Sequence, residues 1–197
     1  MLIRSLTLVS FLFLALSLKV FAQSDLLLLE AAKSRNMDAV TLHLSNSGVD
    51  VNEAKADGTT ALHWAVHWGE LDMVDLLLAA GADPDPSNDY GVTPPLMQAC
   101  INKNNGMVIK LLDAGADPNA LMVTGVSALM KCSQTGAVEG VRALIKAGAD
   151  VNISESRNGQ TALMWAISSA QAPIVNALLE AGADISSRTV GGFTPLL

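Results

Sequence analysis

His63 and His67 stand four residues apart, a spacing that on a helix points two imidazoles the same way and could hold a metal ion. The glutamate of a His-Glu-x-x-His metal helix is missing beside them. Cys100 and Cys132 are the only cysteines, too few for a disulfide framework or a multi-cysteine zinc site. Trp64 and Trp68 flank the histidines, and Trp165 is the third tryptophan. A tryptophan left on a concave surface is a strong partner anchor, since Trp and Tyr dominate binding hot spots. Nothing else is arranged for catalysis: no Gly-x-Ser-x-Gly elbow presents a nucleophile, and no glycine-rich loop is placed to cradle phosphate. The acids recur at a fixed interval, as a scaffold requires and an active site does not. The sequence therefore predicts a protein that is not an enzyme.

What must position these side chains is a repeated unit. The stretch Asp57-Gly58-Thr59-Thr60-Ala61-Leu62-His63-Trp64-Ala65 returns in whole or in part along the chain. The glycine that opens Gly-Ala-Asp falls at Gly48 (as Gly-Val-Asp), Gly81, Gly115, Gly148 and Gly182, and a second glycine recurs at 58, 91, 125, 159 and 192. Both landmarks repeat every 33 or 34 residues. A period near 33 that carries a Thr-Pro-Leu-His-x-Ala-like helix start is the pattern of ankyrin units, so the chain resembles the ankyrin repeat family over about residues 25–197. The resemblance implies an all-α solenoid of helix-turn-helix units with β-hairpin-like connecting loops. The domain spans 23–197, with repeats at about 25–56, 57–89, 90–123, 124–157 and 158–190 and a truncated sixth at 191–197.

In the second repeat Thr60 is the expected N-cap, Ala61 to Gly69 the inner helix and Leu71 to Ala79 the outer one, with Gly81 in the left-handed turn that follows. Thr93-Pro94-Pro95-Leu96 holds one proline more than the pattern, which predicts a helix start displaced by a residue. Ala170 stands where the helix-ending glycine is usual. One helix pair buries too little apolar surface to fold alone, so Leu76-Leu77, Leu111-Leu112, Leu144-Ile145 and Leu178-Leu179 must pack against neighbouring repeats. Cys100 and Cys132 fall on adjacent inner helices. Matching positions of packed helices lie about 8–10 Å apart, beyond the ~7 Å reach of a bridge, so two buried thiols are expected.

The resemblance also implies where partners bind. His63 takes the place of the family histidine, whose implied role is to hydrogen-bond neighbouring backbone and tie repeats together, so no metal and no other cofactor is expected. The two residues before each helix-ending glycine are implied to face the concave groove, as are residues of the hairpins. Carried over position by position, this selects His67, Trp68, Tyr90, Val92, Ile101, Asn102, Val126 and Gln134, with Val123 adding apolar surface. The expected function is binding of a protein partner in that groove. The alternatives are a metal- or redox-linked periplasmic accessory protein, or a piece of a longer secreted, host-directed ankyrin protein.

Composition sets the remaining bounds. Half of the 197 residues are hydrophobic, which argues against disorder, and a net charge of −7 argues against nucleic acid as a partner. Residues 1–22 read as a secretory signal peptide: Arg4 opens it, 14 uncharged residues separate Arg4 from Lys19, and Val20-Phe21-Ala22 ends it. The uncharged run falls short of the ~20 residues a membrane span needs, so no stable span is expected after a cut following Ala22. Loss of Arg4 and Lys19 would take the charge from −7 to −9. The leader points to the bacterial periplasm or the cell exterior, with a eukaryotic secretory route left open. Gly192-Phe193-Thr194-Pro195-Leu196-Leu197 restarts the repeat, so 186–197 is expected to be the least ordered part of the domain, and self-association is expected through repeat five.

Overall fold

Repeats two, four and five each open with a residue in extended conformation that releases the chain into a helix of only two turns. Thr60, Ser127 and Thr161 hold this place, at φ near −100°, and the hydroxyls of Ser127 and Thr161 accept the N–H groups of Met130 and Met164. The computed structural model describes residues 27–86 and 93–195. The expected leader at 1–22 and the groove residues Tyr90 and Val92 lie outside them. Five helix pairs follow one another: α1 (27–33) with α2 (Met37–Leu44), α3 (Ala61–Trp68) with α4 (Leu71–Ala79), α5 (Pro95–Ile101) with α6 (Asn105–Asp113), α7 (Ala128–Thr135) with α8 (Val138–Lys146), and α9 (Ala162–Ser168) with α10 (Ala172–Glu180).

The extra proline displaces the start of α5 by one residue, as expected: its N-cap stands three residues after Gly91, whereas the caps of α3, α7 and α9 stand two after Gly58, Gly125 and Gly159. Pro94 takes the N-cap place and Pro95 the first helical place, that of Ala61, Ala128 and Ala162. A residue before proline is confined to the extended region an N-cap needs, and a proline in the first turn lacks only an N–H that would go unpaired. What repeat three loses is the side-chain cap. At the other end of the inner helices one residue turns left-handed in all five repeats. Glycine does this at Gly69 and Gly136, whereas Arg35, Lys103 and Ala170 adopt φ of 57°, 53° and 54°.

Inner helices pack on inner helices and outer on outer, so the stack is a two-layer solenoid. Its core is a double row in which Leu62, Leu96, Leu129 and Leu163 from the inner layer meet Leu77, Leu111, Leu144 and Leu178 from the outer, all at most 1 % exposed. Loops of successive repeats are also joined. Ser156 N–H donates to Thr124 O and Val190 N–H to Asn158 O, and short antiparallel bridges pair Leu121 with Ser127 and Ser154 with Thr161.

Beyond outer helices α2, α6 and α8 an asparagine clamps the next repeat. Asn52 donates to Gly81 O (3.1 Å) and accepts the Asp83 N–H (2.7 Å). Asn119 does the same with Gly148 and Asp150, and Asn152 with Gly182 and Asp184. Asp85 stands in the equivalent place between repeats two and three. One of its oxygens accepts the Asp117 N–H, while the other, Oδ1, is buried with no donor among the described residues. Burial pushes its carboxyl up from the usual range; the Asp117 N–H opposes this, and the Asp117 and Asp83 charges add to it.

The cysteines correct the expectation of free thiols: Cys100 and Cys132 form a disulfide, with their Cα atoms 4.5 Å apart. The two do not hold matching positions. Cys132 fills the slot of Ala65, Ala99 and Ala166, all fully buried, and Cys100 sits one residue further along its helix. Small side chains in that slot let the helix backbones approach more closely than the axis spacing suggests. Gly140 makes the remaining room on α8: a Cβ there would lie 3.2 Å from Cys132 Sγ.

Candidate protein-interaction face

The inner-helix layer carries most of the side chains that sequence reasoning selected, and the structure divides them into two columns. His67, Ile101, Gln134 and Ser168 form the outward column and are exposed, Ile101 at 42 %. Trp68, Asn102 and Thr135 form the next column, and their polar atoms tie repeats together. Trp68 Nε1–H donates to Lys33 O (3.1 Å), Asn102 Nδ2–H donates to Val66 O and His67 O (3.2 and 3.1 Å), and the Thr135 hydroxyl donates to Cys100 O (2.9 Å). The cause is local: a two-turn helix leaves its last carbonyls without intrahelical donors, and this side chain of the next repeat lies over them. Trp68 and Asn102 are therefore structural at their polar ends, although Trp68 remains 42 % exposed. Each residue of this column carries a donor, a signal present in the sequence.

Val123 is 90 % exposed at its hairpin tip, whereas Val126, selected with it, packs against the core. Gln134 accepts the Lys131 ammonium at 3.1 Å. Around Trp68 the aromatic residues form one cluster. The Trp64 and Trp68 rings stack with centroids 6.2 Å apart, and His67 meets both edge-on. Arg35, paired with Glu70, lies 6.0 Å from the Trp68 ring.

His63 does not bridge repeats as the resemblance implied. Its Nδ1 accepts the Thr60 N–H (3.1 Å) and faces the Thr60 hydroxyl (2.9 Å), closing a capping box on its own helix. Among the described residues its Nε2, which is buried, has no partner. Burial lowers the imidazole to about 4, against a smaller upward pull from Asp57, so His63 is neutral near pH 7. Beside it an open groove of about 260 Å³ is lined by Thr59, His63, Trp64, His67, Thr93 and Gln98, between repeats two and three. Among the described residues no three His, Cys, Asp or Glu side chains gather as a metal site, and no helix is long and apolar enough to cross a membrane.

Sequence reasoning missed two lysines. Lys33 lies 5.4 Å from the Trp64 ring centroid and Lys131 lies 4.9 Å from that of Trp165. The signal was available, since Lys131 and Trp165 hold the same slot in successive repeats.

Comparison with known proteins agrees with this architecture. The family model described as ankyrin repeats (3 copies) matches residues 28–122 and 96–189. The chain is 40 % identical over 124 residues to the B-cell lymphoma 3 protein homolog of Mus musculus, an alignment covering 63 % of this chain and 28 % of that protein. It is 31 % identical over 149 residues to the palmitoyltransferase AKR1 of Lachancea kluyveri, covering 73 % of this chain and 20 % of that one. The chain thus spans under a third of the length of these relatives. With the repeat register, the two-layer stack and the family match in agreement, the chain belongs to the ankyrin repeat family, whose stacks serve as protein–protein interaction modules.

Proposed function

We propose that this chain is an exported, non-catalytic binding module that holds an extended segment of a protein partner along its inner-helix face. The observation that carries the reading is the open groove between repeats two and three, which adjoins exposed His67 and Ile101 in the outward column. An aromatic-lined cleft beside exposed apolar side chains is the form a contact site usually takes. Export is supported by the leader-like sequence at 1–22 and by the Cys100–Cys132 bridge, since disulfides persist in oxidising compartments. Exposed Ile185, Val190 and Phe193 make the flank of repeat five the surface through which copies would associate.

A photo-crosslinking residue placed at Ile101 or Gln134 tests the reading, with Ile109 on outer helix α6 as the control. Adducts with a partner from the exported fraction are expected at the first two and not the third. Adducts at Ile109 alone would refute the assignment of the face. Amino-terminal sequencing of the mature protein checks export, and sedimentation checks self-association.

A further inference from the structure

We propose that the partner segment is acidic, its carboxylates held at two stations of the inner-helix face, Lys33 with Trp64 and Lys131 with Trp165. This rests on the proposed function and names the chemistry of the partner. The whole chain carries a charge of −7, which by itself would repel an acidic segment. The inner face departs from that average. Helices α3, α5, α7 and α9 contain no Asp or Glu, whereas every outer helix carries at least one, at Asp38, Asp72, Asp75, Asp113, Glu139 and Glu180.

Three carboxylates border this face in repeats one and two: Glu30 is paired with Lys55 at 2.6 Å, Glu70 with Arg35, and Asp57 accepts the Thr59 N–H at 2.9 Å with Lys55 also acting on it. Lys33 also faces Glu30, but Glu30 bonds Lys55 instead. Among the described residues neither Lys33 nor Lys131 forms an ion pair. Each rests over an indole instead, a contact that orients the ammonium without cancelling its charge. The Trp64 and Trp165 indole N–H groups and His63 Nε2 are buried, without partners among the described residues, so what each station offers a ligand is the ammonium over the ring. Together with Lys33 at the end of α1, the inner helices α3, α5, α7 and α9 therefore present cationic side chains and no anionic ones, the complement of a carboxylate-bearing peptide.

Trp64 and Trp165 share one slot three repeats apart. At about 9 Å between packed helices the stations lie roughly 27 Å apart, which an extended strand at ~3.3 Å per residue crosses in about eight residues. The fitting segment carries two acids about eight residues apart.

A random 16-residue phage-displayed peptide library, panned against the purified chain, tests this, with affinities of enriched peptides read by fluorescence anisotropy. Enriched peptides are expected to carry Asp or Glu at about that spacing. Their affinity is expected to fall at least tenfold with Lys33→Ala plus Lys131→Ala, and further as salt rises, while Arg142→Ala plus Lys146→Ala on outer helix α8 changes nothing. Thermal melts of the lysine variants should match the parent chain, and Lys131→Glu should shift selection toward basic peptides. Neutral or basic peptides that ignore the lysine variants but lose affinity with Ile101→Ser would overturn the acidic partner and leave the binding face standing. Peptides insensitive to every inner-face substitution, or no enrichment at all, would overturn both.

Discussion

Replacing Asp85 by asparagine should make the stack more stable at neutral pH. Asn52, Asn119 and Asn152 each donate to a glycine carbonyl and accept an Asp N–H, whereas Asp85 only accepts, leaving Oδ1 buried with no donor among the described residues. A proton on Asp85 would supply the missing donor, in line with the raised pKa. A carboxyl raised above its unfolded value contributes stability that is fully present below the unfolded value near 4 and is lost as pH rises through the folded value. At pH 7 the ionised form is thus the poorer clamp. Asp85→Asn restores one hydrogen bond of about 1 kcal/mol and relieves repulsion from Asp83 and Asp117. For a chain of this size that is a rise of roughly 2–4 °C in Tm. Melts of both chains followed by circular dichroism from pH 4 to 8 should show the advantage at pH 7 shrinking toward pH 4. An advantage that grew with acid, or none at pH 7, would refute the reasoning. The mirror change, Asn119→Asp, should destabilise by about the same amount at pH 7.

Ala170→Gly and Lys103→Gly should each stabilise by roughly 1 kcal/mol in urea titrations, because a side chain at φ near 54° is strained where glycine is not. Removing the bridge with Cys100→Ala plus Cys132→Ala should lower stability by about 3–4 kcal/mol, the loop-closure entropy for a separation of 32 residues; an unchanged urea midpoint would count against it. His63 has the opposite sign to Asp85. Its folded pKa near 4 lies below the unfolded 6.5, so its contribution is present above pH 6.5 and lost as pH falls to about 4, on the order of 3 kcal/mol. His63→Gln, which keeps a capping-box residue, should flatten that part of the pH profile.

The fold was legible because it is written five times. Thr60, Ser127 and Thr161 at the caps and the leucines of the double row keep one register, so each repeat confirmed the others. The site was legible only by column. Exposure of His67, Ile101 and Gln134 followed from the groove positions that the family resemblance implied, but the engagement of Trp68 and Asn102 depended on where the previous helix leaves its carbonyls, which no single repeat records. The double proline was legible as a one-residue shift because the N-cap and the residue before proline ask for the same backbone, which moves the cap from Thr93 to Pro94. The bridge was missed because an average axis spacing does not describe a crossing lined by alanines, nor the space Gly140 leaves for sulfur.

That bridge also changes what happens when the chain is pulled. A stack whose repeats touch only their neighbours peels from its ends, releasing one helix pair at a time. The link between Cys100 and Cys132 carries tension past α6, so the residues between them, a separation of 32 and roughly 110 Å of contour length, never bear load. Under force the outer repeats would extend like a spring while the middle of the stack is shielded, and reduction would release the hidden length in a single step.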